Sequence, residues 1–184
     1  MSTPQNVDPP FRVAWNQAIA SIRVRFWRHA VTVSGIGLGI AFFASVQTSR
    51  LLQTDANAFE SERLQWLAAS SLLMCLVGVT NSMLMSVSER YREIGTIKCL
   101  GASDGFIVKV FFLEAICLGL IGSLAGALLG SLAISLFDGF SLAAVLETLG
   151  IGSALGLAMT VVAAIAPAVV AARMPAAAAL RVEV

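Results

Sequence analysis

Charge is what this sequence has least of. Only 12% of its 184 residues are Asp, Glu, Lys or Arg, against 58% hydrophobic, and the mean hydropathy is +0.85. A soluble domain carries about a quarter charged residues. A chain this short cannot hide so much apolar surface in one water-facing core, so the surplus belongs in lipid. The net charge of +1 supplies no basic footprint and argues against a nucleic-acid partner. Cysteine is scarce too: Cys75, Cys99 and Cys117 form no CxxC or Cys/His cluster, and they read as reduced, structural thiols. With one histidine, His29, the sequence offers neither a metal-ligand set nor a Ser/His/Asp arrangement. No GxxxxGK[ST] is present to cradle a nucleotide phosphate. The apolar runs hold little polar chemistry beyond Ser, Thr, Asn81 and Glu114. Neither an enzyme nor a cofactor or metal site is expected.

What is present is a succession of long apolar runs. Crossing a bilayer as a helix takes about 20 mostly apolar residues, and four segments supply them, at 29–49, 66–87, 110–137 and 148–166. Gly35, Gly37 and Gly39 lie in the first, Trp66 opens the second at aromatic-belt depth, and Pro167 closes the fourth. The first run begins far from Met1 with no small-residue cleavage site after it, so it reads as an uncleaved anchor. Before it, residues 1–10 with Pro4, Pro9 and Pro10 read as a flexible tail. Residues 11–28 place Phe11, Trp15, Ala18, Ile19, Ile22 and Phe26 at helical spacing among Arg12, Arg23, Arg25 and Arg28. That pattern suits an amphipathic helix lying among membrane headgroups, an alternative to a plain basic flank of the first span.

Orientation follows from the basic residues. Arg12, Arg23, Arg25 and Arg28, then Arg90, Arg92, Lys98 and Lys109, then Arg173 and Arg181 make ten on one side, against Arg50 and Arg63 on the other. The positive-inside rule then puts both termini and the 88–109 loop in the cytoplasm. The expected fold is an all-α membrane protein: four transmembrane helices, an N-terminal amphipathic interfacial helix and a cytoplasmic helix between spans two and three. Residues 29–184 form the four-span domain.

Two features inside the third run bear on function. Glu114 is an ionisable residue in an apolar segment, and its charge is costly unless partnered. It can reach Lys109, headgroup water or a neighbouring helix, and a structural or inter-subunit polar contact is preferred to a proton relay. Gly122, Gly126 and Gly130 recur every four residues, so they bare one helical face to close approach. Spacing alone leaves open whether that face packs within the chain or in a dimer interface.

The most informative segment is the charged one, NSMLMSVSERYREIGTIKCLG followed by Ala102. A helix there is a charged, sharply turned knob between two spans, able to seat in a soluble partner and pass force to both. ERYREIGTIKCLGAS, followed by FFLEAICLGLIGSLAGALLG, resembles the cytoplasmic loop and third span of the FtsX-like permease family, the membrane subunits of MacB/LolCDE-type ABC transporters. The Ala-rich close, PAVVAARMPAAAALRVE, and the basic amphipathic start are similar to the family's as well. The resemblance implies that Glu89, Arg90, Arg92, Glu93, Ile94, Gly95, Lys98, Gly101 and Ala102 form a coupling loop against a separate cytosolic ABC ATPase subunit. It implies that Glu114 begins the third span's small-residue run, and that the permease pairs with a second copy or a paralogue in a bacterial inner membrane. The chain departs from the family in one respect. Residues 50–65 leave no room for the large extracytoplasmic domain usual between the first two spans, since a folded core needs about 40 residues. A reduced permease of this kind would rely on an extracytoplasmic partner protein or take cargo laterally from membrane lipid. The function implied is export or extraction of an apolar or lipid-like substrate. The alternatives are transmembrane signalling to an extracytoplasmic partner and, less favoured, a small channel or a membrane scaffold.

Overall fold

The computed structural model describes residues 11–52, 58–138 and 141–174. The tail at 1–10 and the Ala-rich close after Met174 lie outside the described residues, as do positions 53–57 and 139–140 within the two outer connections. Among the described residues the regular structure is entirely helical. In chain order the elements are α1 (Phe11–Val24), α2 (Phe26–Leu52), α3 (Ala58–Glu89), α4 (Tyr91–Cys99), α5 (Asp104–Asp138) and α6 (Leu142–Arg173). Four stretches are long and apolar enough to cross a membrane: Phe26–Leu52, Glu62–Glu89, Asp104–Phe137 and Leu142–Arg173. Each contains one of the runs read from the sequence.

The bundle is built around α5, the most buried of the four long helices. Its glycines explain how. An added Cβ on Gly126 would lie 2.9 Å from the Gly37 Cα, and one on Gly130 would lie 2.9 Å from the Ala41 Cα. A Cβ on Gly122 would come within 2.9 Å of the Ile36 side chain. Real side chains do not approach backbone so closely, so only the missing Cβ atoms let α2 and α5 meet. The Gly122–Gly126–Gly130 face therefore meets α2 of the same chain. One edge round, Gly119, Ser123 and Ala127 receive Thr160, Gly156 and Gly152 of α6. The core between the helices is Ile36, Ile40, Ala44, Val79, Met83, Ala115, Leu118, Ala127, Ala163 and Ala164.

Several hydroxyls in the bundle are partnered locally or across helices, as a membrane interior favours. Thr48 and Thr148, both fully buried, join α2 to α6 through a 3.1 Å hydrogen bond. Thr32 and Ser82 lie 2.5 Å apart between α2 and α3.

The fourth long helix, α6, corrects one expectation. It does not stop at Pro167 but continues to Arg173, with Pro167 buried inside it. A proline deprives the carbonyl four residues back of its donor, and here Ala163 O is met by the Thr80 hydroxyl at 3.5 Å, which also reaches Leu76 O at 2.9 Å. The last turns are then pinned by packing of Ala168 and Ala171 against Val87, Ile94, Ile107 and Phe111.

The amphipathic N-terminal segment is α1, and its contact edge differs from its apolar stripe. Ala14, Ala18 and Ser21 are buried, with Ala14 packed against Phe106 and Val110 of α5. Trp15, Ile19 and, beyond the helix end, Phe26 remain exposed. Small residues dock the helix on the bundle and leave its large apolar side chains on an outer surface suited to lipid.

Candidate functional site

The charged end of the bundle is organised by two one-residue breaks in helix. Arg25 separates α1 from α2, and Arg90 separates α3 from α4. At the first, the amides of Arg28 and His29 both donate to Arg25 O, at 3.1 and 3.2 Å, so the chain bends with little loss of backbone bonding. At the second, the Arg90 amide is shared between Ser86 O and Val87 O, and its backbone sits near φ −101°, ψ 12°.

The resulting short helix α4 ends in a Schellman closure. The Ala102 amide donates to Ile97 O at 3.2 Å and the Gly101 amide to Lys98 O at 3.0 Å, with Gly101 at φ 94°. That left-handed turn is what glycine supplies at low cost. Ser103 then caps α5, its Oγ accepting from the Phe106 amide at 3.1 Å. Ala102 is half-buried beside the small cluster of Ala14, Phe106 and Val110.

Side chains brace α4 at both ends. Lys98 Nζ donates to the carbonyls of Ala172 and Met174, which close α6, and pairs with Asp104 Oδ1 at 2.7 Å in the first turn of α5. A cation on free helix carbonyls and an anion at a helix start are each favourable placements. At the other end, Arg90 Nη1 donates to Glu114 Oε2 at 2.8 Å, and the guanidinium lies 5.7 Å from the Phe111 ring centre. Glu114 is 1% exposed. Its other oxygen faces His29 Nε2 at 3.3 Å, and Ser21 Oγ reaches Oε2 at 3.5 Å. Three other parts of the molecule thus converge on one carboxylate of α5. Breaking a buried pair by removing one member costs about 3–5 kcal/mol, because the charge left behind has no water.

Nearer the surface, Arg25 donates to Glu89 at 3.2 Å and to Glu93 at 3.0 Å, Arg28 pairs with Glu89, and Arg90 approaches Glu93 at 3.5 Å. Glu89 and Glu93 are therefore engaged within the chain. Ile94 and Gly95 are buried toward the bundle. The outer side of α4 is formed by Arg92, Thr96, Cys99 and the 84% exposed Leu100, and Gly101 lies beside it.

Sequence reading found the α4 segment and Glu114 but missed what holds them. Arg25 and Arg28 counted there only as charges of the amphipathic segment and of the orientation rule, and His29 only as the lone histidine; nothing local links them to carboxylates more than 60 residues away. Thr96, Cys99 and Leu100 were also missed. Their signal is the spacing from Arg92, which keeps them on one helical face.

Fold and site together define a helical multi-pass membrane module with a short braced helix between its second and third long helices. The model of the FtsX-like permease C-terminal region matches residues 66–176, and the chain belongs to that family. It is similar to the macrolide export ATP-binding/permease protein MacB of Nitrobacter winogradskyi, 38% identical over 117 residues, covering 59% of this chain and 16% of that protein. The pyoverdine export ATP-binding/permease protein PvdT of Pseudomonas aeruginosa is 40% identical over 101 residues, 50% of this chain and 15% of that one. The ABC transporter permease YknZ of Bacillus subtilis is 50% identical over 64 residues, 35% and 16% of the two chains. The matched stretch spans only about one sixth of each of these relatives.

Proposed function

We propose that this chain is a non-catalytic permease subunit of an ABC transporter, with α4 as the element that a separate cytosolic ATPase moves. The observation that carries this is the bracing of α4: its two ends are tied to α5, to α6 and to the α1/α2 joint, so a push on it moves the spans as levers. The exposed stripe Arg92, Thr96, Cys99 and Leu100 is the contact surface, while Glu89, Glu93 and Lys98 hold the helix in place. In this reading both termini and α4 are cytoplasmic, the membrane is the bacterial inner membrane, and the subunit works beside a second copy or a paralogue. An apolar or lipid-like cargo is supported by an apolar groove of about 470 Å³ between α2 and α3, lined by Val31, Leu38, Phe42 and Met74 and floored by Gly35 and Gly78.

The test is co-purification of an ABC ATPase with the tagged full chain, and its turnover with and without the chain in nanodiscs. Wild type is expected to recruit the ATPase and change its turnover. Leu100→Asp is expected to lose recruitment while unfolding at the wild-type midpoint. A wild-type chain that neither recruits an ATPase nor alters its turnover would sink the proposal. In proteoliposomes, ATP-dependent movement of a fluorescent lipid is expected for transport, whereas a purely signalling subunit would move none.

A further inference from the structure

The charged groups at the two helix breaks, together with the His29 imidazole, form one continuous circuit of polar contacts. From Arg28 it passes to Glu89, to Arg25, to Glu93, to Arg90, to Glu114 and to His29, which is Arg28's neighbour in α2. Every carboxylate in it is touched by basic groups from two places. Glu89 meets the α1/α2 joint and α2, Glu93 meets both joints, and Glu114 meets the α3/α4 joint and α2. The circuit's outer carboxylates are open to solvent, 43% for the Glu89 side chain and 61% for Glu93, whereas its inner end is closed, 9% for Arg90 and 2% for Glu114. The two bends are therefore clasped face to face, with Arg25 spanning the residues on either side of Arg90.

We infer that the α1/α2 joint is a second anchor of the moving element: Arg25, backed by Arg28, positions α4 and hands its displacement to α1 and α2. The matched family region begins at residue 66, so it assigns nothing to α1, α2 or these arginines. For its ATP-driven half the inference rests on the function proposed above. Physically, α3 and α5 flank α4 in the chain and receive its movement directly, whereas α1 and α2 lie further along the chain and must be reached across space. The clasp supplies a charged contact from α4 to their joint. Its carboxylates are partly exposed, so it is screened by salt and can yield without unfolding the bundle. That combination suits a positioning contact better than a structural one.

The test uses the full chain in lipid nanodiscs, with hydrogen exchange read by peptide. Arg25→Ala is expected to speed exchange over 91–99 at least fivefold and to leave α5 unchanged. Arg25→Lys should recover at least half of that protection, and Glu89→Gln, which keeps every cation, should move exchange in the same direction as Arg25→Ala. Unchanged exchange over 91–99 in Arg25→Ala would overturn the inference, as would an Arg25→Lys chain no better protected than Arg25→Ala. With an ABC ATPase that wild type recruits, Arg25→Ala should still co-purify it but lose at least fivefold of the change in turnover. Full retention of that change overturns the positioning role. Failure of wild type to recruit any ATPase would instead overturn the proposed function, and the exchange result would still decide the clasp.

Discussion

The charged end of this molecule and the middle of its bundle hold helices together by opposite means. In the middle, α2, α5 and α6 approach because side chains are missing: Gly122, Gly126 and Gly130 face α2, while Gly152 and Gly156 of α6 face α5. Such contacts have no long-range component, and they fail once a methyl group is added. At the charged end, α1, α2, α4 and α5 are joined by alternating charges on long side chains, which act over several ångströms and tolerate small shifts. The middle is therefore rigid and the charged end compliant.

The comparison is broken most severely at its one rigid charged point. Glu114→Ala leaves the 8% exposed Arg90 without its buried partner. It is expected to lower stability by about 3–5 kcal/mol, measured as the unfolding midpoint in mixed detergent and SDS. Glu114→Gln, which keeps an acceptor for Arg90, should lose clearly less; an equal loss would mean that charge is not what holds the site.

Next in size is the glycine face. Gly126→Val must push against α2 backbone and is expected to cost about 1–3 kcal/mol. Gly35 has open space where a Cβ would go. Gly35→Ala should therefore be neutral or stabilising by up to about 1 kcal/mol from helix propensity. Equal effects at the two glycines would refute the packing account.

Smaller again is the Thr48–Thr148 bond at the far end. Thr48→Val should cost about 0.5–1.5 kcal/mol, and adding Thr148→Val should cost little more, since pairing two apolar groups leaves no orphaned hydroxyl. The smallest effect belongs to Arg25→Ala. Exposed pairs contribute about 0–1 kcal/mol, and the loss should shrink further between low and high salt. A large, salt-independent loss would show that the outer clasp is as rigid as the buried one.

Much of this was legible in the residues. Four apolar runs and the charged segment between the second and third could be read directly, because hydrophobic length and charge are local properties. The end of α6 was not, because its continuation past Pro167 goes with contacts from other helices: Thr80 near Ala163 O, and Val87, Ile94, Ile107 and Phe111 against Ala168 and Ala171. The ion pairs of Glu89 and Glu93 were not legible either, since their partner Arg25 lies 64 and 68 residues earlier.

The sequence by itself determined the class of molecule. An apolar chain with so few charges must sit in lipid as helices, since every backbone group there has to be satisfied within its own segment. It also determined that chemistry at this surface would rest on one charged loop. Only the tertiary structure decided which face of α5 meets α2, where Glu114 finds its cation, and that the arginines before the first long helix close around that loop. Those outcomes depend on which side chains meet across helices, and charge pairing at a distance leaves no periodic trace in the chain that encodes it.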